Sequence, residues 1–291
     1  MRAYLELVRI PAVFTAPADV LAGFALAAAW GGRGAMLDMV TLVLASALVY
    51  CAGMAANDIF DRRVDLEARP SRPIPSGRVS LRAAWRFVLT TQGIGLGLAA
   101  TVGEAALVAV GLTVLATYLY NGVLKSTLIG PVVMGICRYG NALIGLSVLG
   151  WAAFDAALLI LPITTLAYVT MLTAVSRFEV SGGDDKRARA ALCGLVTTSL
   201  LSGVWSLLQI LPVHWAAALG VVPVIWLYGP TSRAWLQPTG AHFRGAVMSG
   251  IFGIALVNAV LAVGAGGWPY ALLICALAGV GKFFGRWFYA T

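Results

Sequence analysis

The sequence predicts an all-α protein: a polytopic transmembrane helical bundle with nine core spans and a tenth, C-terminal segment. Three observations lead there. The 291-residue chain is 60% hydrophobic and 11% charged, with a mean hydropathy of +0.89. Apolar runs of about 20 residues recur along it, the length a helix needs to cross the hydrocarbon layer while satisfying its own backbone. The positive charges also fall on one side. With the N-terminus inside, all of the 20 Lys and Arg residues except Arg33 and Arg138 lie in segments assigned to the cytoplasm.

The spans read as 10–31, 38–59, 82–102, 104–123, 129–150, 156–177, 188–211, 213–229 and 243–265, and the tenth segment covers 268–288. They form one domain, 1–291. The net charge of +8 then reports membrane orientation. No basic soluble segment exists to bind nucleic acid, so the bilayer is the expected macromolecular surroundings. The four cysteines, 51, 137, 193 and 275, lie in apolar spans without short spacings. They read as buried free thiols.

Span one contains Phe14, Pro17 and Asp19. Its length, the proline and the acid mark it as a retained helix and not a signal peptide. An acid inside a span is a candidate substrate-binding residue. The structural alternative is that Asp19 caps a break at Pro17 or pairs with an arginine such as Arg138.

Span two ends in the stretch that organises the chain, residues 57 to 78. Asn57, Asp61 and Asp65 are four apart, so a helix places them on nearly one face. A row of acidic oxygens suits Mg²⁺, which takes one or two carboxylates and completes its shell with water and phosphate. Arginines 62, 63, 69, 72 and 78 follow, and a guanidinium fork fits phosphate oxygens. Metal ligands beside phosphate clamps predict a diphosphate site at the membrane edge. The plain alternative is a solvated cytoplasmic loop. Three prolines and a glycine between 70 and 77 shape that loop and stop the helix.

Span three carries Gly93, Gly95 and Gly97, read as helix-packing positions. Span four ends in Tyr118, Tyr120, Asn121 and Lys125. The tyrosines belong either to an interfacial belt or to the site, and Lys125 either snorkels or reaches a phosphate. Span five holds Arg138 and Asn141, three apart on one face. A cation at that depth needs a partner, with Asp19 and Asn141 the leading candidates, and polar-substrate binding is a second role. Span six ends in Glu179, Gly182, Gly183, Asp184 and Asp185. This second acidic corner lies four spans after the first, as in a repeated helical unit. The alternative for Asp184 and Asp185 is a helix N-terminus. His214 and His242 are too far apart in topology to form a metal site.

These residues resemble the UbiA superfamily of intramembrane prenyltransferases. The family's Asn-Asp-x-x-Asp-x-x-x-Asp motif is complete as Asn57, Asp58, Asp61 and Asp65. The following loop is present as Arg72, Pro73, Pro75, Ser76 and Gly77, and Tyr120 with Lys125 is similar to the family's aromatic and lysine after span four. The second motif departs: Glu179 and Asp184 are five apart, about 140° around a helix, with glycines between them. The run around Glu179 resembles a divergent UbiA-like subgroup of bacterial ebo gene clusters.

The resemblance implies a helical bundle with a cavity open to lipid and a cytoplasmic active site, set in the bacterial inner membrane. It implies Mg²⁺ held by Asn57, Asp58, Asp61, Asp65, Glu179 and Asp184, and transfer of a prenyl group from a prenyl diphosphate to a small-molecule acceptor, aromatic or otherwise small and polar. Asp61, Asp65, Arg72 and Lys125 are the expected catalytic residues. Substrate would meet Asn57, Arg72, Lys125, Tyr118, Tyr120, Arg138, Asn141 and Asp19. Aromatic faces at Phe14, Tyr118 or Phe178 would stabilise an allylic cation. The competing readings are a terpene cyclase, a carrier with Asp19 and Arg138 at its midplane site, and a non-catalytic binder of prenyl diphosphate.

Overall fold

The computed structural model describes residues 1–32, 34–180, 182–183 and 186–288, and is all-helical, with no strand among the described residues. The helices are α1 (Arg2–Leu7), α2 (Ile10–Val13), α3 (Thr15–Ala29), α4 (Met36–Phe60), α5 (Arg62–Ala68), α6 (Leu81–Val102) and α7 (Glu104–Leu119). After a π-helical turn, Tyr120–Leu124, come α8 (Gly130–Leu146), a 3-10 segment (Ser147–Phe154), α9 (Ala156–Leu159) and α10 (Ile163–Ser176). The chain ends with α11 (Lys186–Leu207), a 3-10 segment (His214–Gly220), α12 (Val221–Leu236), α13 (Gly240–Gly264) and α14 (Trp268–Phe284).

Every predicted span contains a helix, but the helices are unequal. Six segments are long and apolar enough to cross a membrane: Ile10–Ala29, Met36–Phe60, Glu104–Leu124, Gly130–Phe154, Lys186–Leu207 and Gly240–Gly264. This is a multi-pass membrane protein. α10 and α14 are apolar but shorter. The predicted 156–177 span is broken, because the chain turns at 160–162 and α10 starts only after Pro162. The predicted 213–229 span begins as a 3-10 segment, and its α-helix runs on to Leu236. Ser80 and Thr239 cap α6 and α13, their hydroxyls accepting from Ala83 N and His242 N.

α3 is the hub, buried along most of its length and packed on α4, α8, α13 and α14. Its approach to α8 is backbone to backbone. A Cβ on Gly23 would lie 2.1 Å from Ala142 O, and one on Gly145 would lie 2.0 Å from Val20 O. In a bilayer, where lipid is as apolar as a side chain, such close contact is a main source of helix association. Of the span-three glycines only Gly95 has this role, facing Val49 on α4; Gly93 and Gly97 face open space. The cysteines are free, but only Cys137 is fully buried, and Cys193 and Cys275 lie on the outer surface.

A polar network ties five helices through the middle of the bundle. Asp19, 0% exposed, lies with Oδ2 3.0 Å from Arg138 Nε, and its Oδ1 accepts from Asn258 Nδ2 at 2.7 Å. Asn141 Nδ2 donates to Asp19 Oδ2 at 3.4 Å and Ser46 Oγ donates to Asn141 Oδ1 at 2.9 Å. Thr165 extends the network to α10 by donating to Asn258 Oδ1 at 3.2 Å. Arg138 Nη2 donates to Thr15 O at 2.8 Å. The deep arginine thus has the acidic partner expected of it, and the two charges hold α3 to α8.

Candidate active site

α4 ends at Phe60 and α5 begins at Arg62, yet the hydrogen-bond ladder continues. Asp61 N donates to Asn57 O and Asp65 N to Asp61 O, both at 2.9 Å. The expected acidic row therefore stays helical, but it does not stay on one face. Eight residues rotate by about 80° on a 3.6-residue helix, whereas seven return to within about 20°. Asp65 accordingly joins Asp58. Arg72 Nη1 bridges them, donating to Asp65 Oδ2 at 2.7 Å and to Asp58 Oδ1 at 3.2 Å.

The proline-rich loop explains why Arg72 points inward. Ser76 N and Oγ both bond to Arg72 O, Gly77 adopts a φ of 74°, and Val79 N donates to Pro73 O at 2.9 Å. Arg78 pins the loop from outside, through Ser71 O at 2.6 Å and Glu6 Oε2 at 2.6 Å.

Asn57 and Asp61 face a cavity of ≈ 220 Å³ with Arg9, Arg69, Arg72, Tyr120, Lys125, Ser176 and Glu179. Lys125 Nζ donates to Asp61 Oδ2. Asn57 Nδ2 donates to Asn121 Oδ1 at 2.9 Å, and Asn121 Nδ2 donates to Gly53 O at 3.2 Å. That pairing leaves Asn57 Oδ1 as an acceptor, taken by Arg9 Nη2 at 3.2 Å. Glu179 enters from the second corner. Gly182, with φ 65°, lets the chain fold against Pro238 and Gly240, where a Cβ would lie 2.4 Å from Pro238 O. Burial raises the Glu179 carboxyl above its usual range, against the pull of Arg244, Arg69 and Arg9.

Two further cavities adjoin the first. Met54, Tyr120 and Met134 also line a narrow cavity of ≈ 50 Å³ that continues between α4, α7 and α8 to Arg138 and Asn141. Arg9, Arg69 and Arg72 also line a cavity of ≈ 550 Å³, completed by Arg2, Glu6, Arg78, Trp287 and Phe288. A polar, cation-rich chamber thus lies against an apolar slot on one side and a basic vestibule on another.

Residues 19–188 match the UbiA prenyltransferase family. The chain belongs to that family. It is 34% identical over 230 residues to a digeranylgeranylglyceryl phosphate synthase of Methanopyrus kandleri, covering 79% of this chain and 80% of the relative. The corresponding synthase of Metallosphaera sedula is 29% identical, over 94% of this chain and 98% of its own. A solved digeranylgeranylglyceryl phosphate synthase superposes with a TM-score of 0.64 at 23% identity, covering 91% and 98% of the two chains. A UbiA homologue of Archaeoglobus fulgidus, bound to GPP and Mg²⁺, superposes with a TM-score of 0.64 at 20% identity, covering 89% and 99%. The prenyltransferase class expected from the motif stands.

Among this UbiA-family chain's expected site residues, Asn57, Asp61, Arg72, Tyr120, Lys125 and Glu179 share one cavity, whereas Asp58 and Asp65 stand behind Arg72, paired with it, and Asp58 lines the larger neighbouring cavity. Asp184 lies outside the described residues. Tyr118 turns instead to α6, donating to Gln92 Oε1 at 3.1 Å and meeting Phe60 edge-on. Phe14 stacks on Phe284 and Phe178 packs on Phe243, so neither lines the cavity. Asp19 is enclosed in its network, and Arg138 and Asn141 reach only the deep slot. With Asp19 and Arg138 paired to each other, the midplane-carrier reading loses the charges it rested on. Arg69, one of the arginines expected to clamp phosphate, does line the cavity, whereas sequence reasoning missed Arg9 and Ser176 and gave Asn121 no role. An amide at the end of an apolar span was a legible signal for Asn121. Arg9 had been counted only as a topological charge.

Proposed function

We propose that the protein transfers a prenyl group from a prenyl diphosphate to a small acceptor, at the cytoplasmic end of a nine-span bundle with a tenth C-terminal segment, its N-terminus inside, in a bacterial inner membrane. The observation that carries this reading is the shared lining of a polar chamber and an apolar slot. Asn57, Asp61, Glu179, Arg72 and Lys125 line a polar cavity that shares Met54, Tyr120 and Met134 with an apolar slot. The charged groups of the first suit a diphosphate, and the apolar lining of the second suits the first carbons of an isoprenoid chain, which a slot of ≈ 50 Å³ would take up whole only by widening.

The donors fit Mg²⁺. All are oxygens, as a hard cation prefers, and Asn121 orients the Asn57 amide so that its oxygen faces the site as an acceptor. Among the described residues no three His, Cys, Asp or Glu side chains converge on one point. Protein ligands alone would therefore be few, and Mg²⁺ tolerates that when phosphate and water complete its shell. Asn57, Asp58, Asp61, Asp65 and Glu179, with Asp184 from the second corner, would share two such ions among them. When bound, the metal supplies positive charge against the departing diphosphate.

The chain's own residues do the rest. Lys125 and Arg72 offer donors fixed near the acids, preorganised for phosphate oxygens. Tyr120 presents its ring at the junction of chamber and slot, where an allylic carbon would lie. The basic vestibule suits an acceptor carrying an anionic group. The relatives' name, which contains a glyceryl phosphate product, supports that class over a neutral aromatic.

The test is purified protein in detergent with labelled prenyl diphosphates, Mg²⁺ and candidate acceptors. Diphosphate release together with a product of summed mass supports the reading. Release with a cyclised hydrocarbon indicates a cyclase, and tight binding without release indicates a binder. Either of those overturns it.

A further inference from the structure

Arg9 stands at the wall between the polar chamber and the basic vestibule, and lines both. It is one of two non-glycine residues with positive φ among the described residues, at φ 50° and ψ 59°. That left-handed turn breaks α1 from α2 and costs backbone energy that the surroundings must offset. The turn sends the side chain across to α4. Its guanidinium lies 3.1 Å from Met54 Sδ, 3.2 Å from Asn57 Oδ1 and 3.0 Å from Asp58 Oδ1. The side chain is 15% exposed, so these contacts are largely shielded from water.

The charges around the motif balance. Asp58, Asp61 and Asp65 face Arg9, Arg72 and Lys125. Arg72 already bridges Asp58 and Asp65, and Lys125 serves Asp61. Arg9 is therefore a second cation on Asp58, and among the described residues it alone donates to the Asn57 oxygen. Those two oxygens belong to the donor set for a divalent cation, and a guanidinium on them competes with it. A diphosphate entering the chamber would in turn offer that guanidinium better acceptors than a shared carboxylate.

Resting on the prenyl-diphosphate reading above, we propose that Arg9 is an anion-binding residue of the diphosphate site. Without ligand it covers the metal-facing oxygens of Asn57 and Asp58, and with diphosphate present it turns its donors to phosphate. Metal and diphosphate are thereby made to bind together, since either alone disturbs a neutral set of pairs. A purely structural pin between the N-terminal segment and α4 would have no such double effect.

The two roles give opposite signs in one variant. Full-length Arg9→Gln in detergent is compared with wild type for binding of Mn²⁺ alone, followed by the spectrum of the free ion. It is then compared for binding of inorganic diphosphate and geranyl diphosphate at saturating Mn²⁺. Arg9→Gln should bind Mn²⁺ alone about threefold more tightly and the diphosphates about tenfold more weakly, the loss of roughly one charge-assisted hydrogen bond. Arg9→Lys, which keeps charge but not the fork, should fall between for diphosphate. Unchanged or weaker Mn²⁺ binding, or unchanged diphosphate binding, overturns the proposal, as does a parallel loss of both with a lowered melting temperature. Asp61→Asn is the control for the underlying reading. If it keeps metal-dependent diphosphate binding, that reading fails; if it loses it while Arg9→Gln behaves as wild type, only the role of Arg9 fails.

Discussion

Replacing Asp19 by asparagine tests the polar network at the centre of the bundle. Asp19 is fully enclosed and Arg138 is 6% exposed, so both charges are largely withdrawn from water. Asparagine keeps the shape and the contact with Asn258, but leaves the Arg138 guanidinium with one carbonyl, Thr15 O, and no counter-charge. Breaking one side of a buried pair costs on the order of 3–5 kcal/mol, whereas replacing both sides is often close to neutral. Arg138→Met should cost less than Asp19→Asn, because a stranded carboxyl can take a proton and a stranded guanidinium cannot. The double variant should recover most of the loss, with a coupling of about 2–4 kcal/mol. The assay is a four-cornered cycle of denaturant titrations on purified protein in mixed micelles. Additive single effects, or an Asp19→Asn cost below about 1 kcal/mol, would refute the argument, and the pair would then contribute nothing to holding α3 on α8.

Asp61→Ala should abolish the Mg²⁺ dependence of prenyl diphosphate binding, since it removes the carboxylate that Lys125 presents to the chamber; titration of ligand with and without a chelator checks this. Gly145→Ala should force α3 and α8 apart and cost about 1–3 kcal/mol or more, while Gly93→Ala, with open space before it, should be near neutral or slightly stabilising; melting temperatures separate the two. The raised Glu179 carboxyl makes a prediction about pH. If its ionised form serves the metal, activity should fall with acidification at a higher pH than for an ordinary glutamate, and Glu179→Gln should lower the rate and flatten that limb. For stability the sign is the reverse: burial favours the protonated form, so this contribution is present below the ordinary Glu range and is lost as pH rises through the shifted value.

The helical class and the first acidic corner were legible because they depend on local rules. Apolar length sets a span, and the four-residue spacing from Asn57 to Asp65 fixes a helix that the structure continues through residue 61. What spacing could not settle was azimuth over two turns. That drift moved Asp65 to the Asp58 side and onto Arg72, an arrangement the sequence could not distinguish from a single row. Contacts across the bundle were less legible still. Asp19 and Arg138 were readable as partners because each is costly alone in a membrane. Arg9 was not, because an arginine before a first span is explained by topology, and nothing in its neighbours announces the left-handed turn that aims it at Asn57. The aromatics misled for the opposite reason: Phe14, Tyr118 and Phe178 lie at suitable depth, but helix rotation turns them into packing contacts.

The divergent second corner follows the same logic. A regular acidic repeat on a helix would present two carboxylates to the chamber from that side. Here Glu179 follows the end of α10, and Gly182 carries the chain away to Pro238 and Gly240. Among the described residues, Glu179 is the acid that this corner contributes to the chamber. The first corner is meanwhile neutralised by its own arginines and lysine. With its carboxylates paired in this way, the first corner is expected to hold metal poorly until a diphosphate draws those cations to itself.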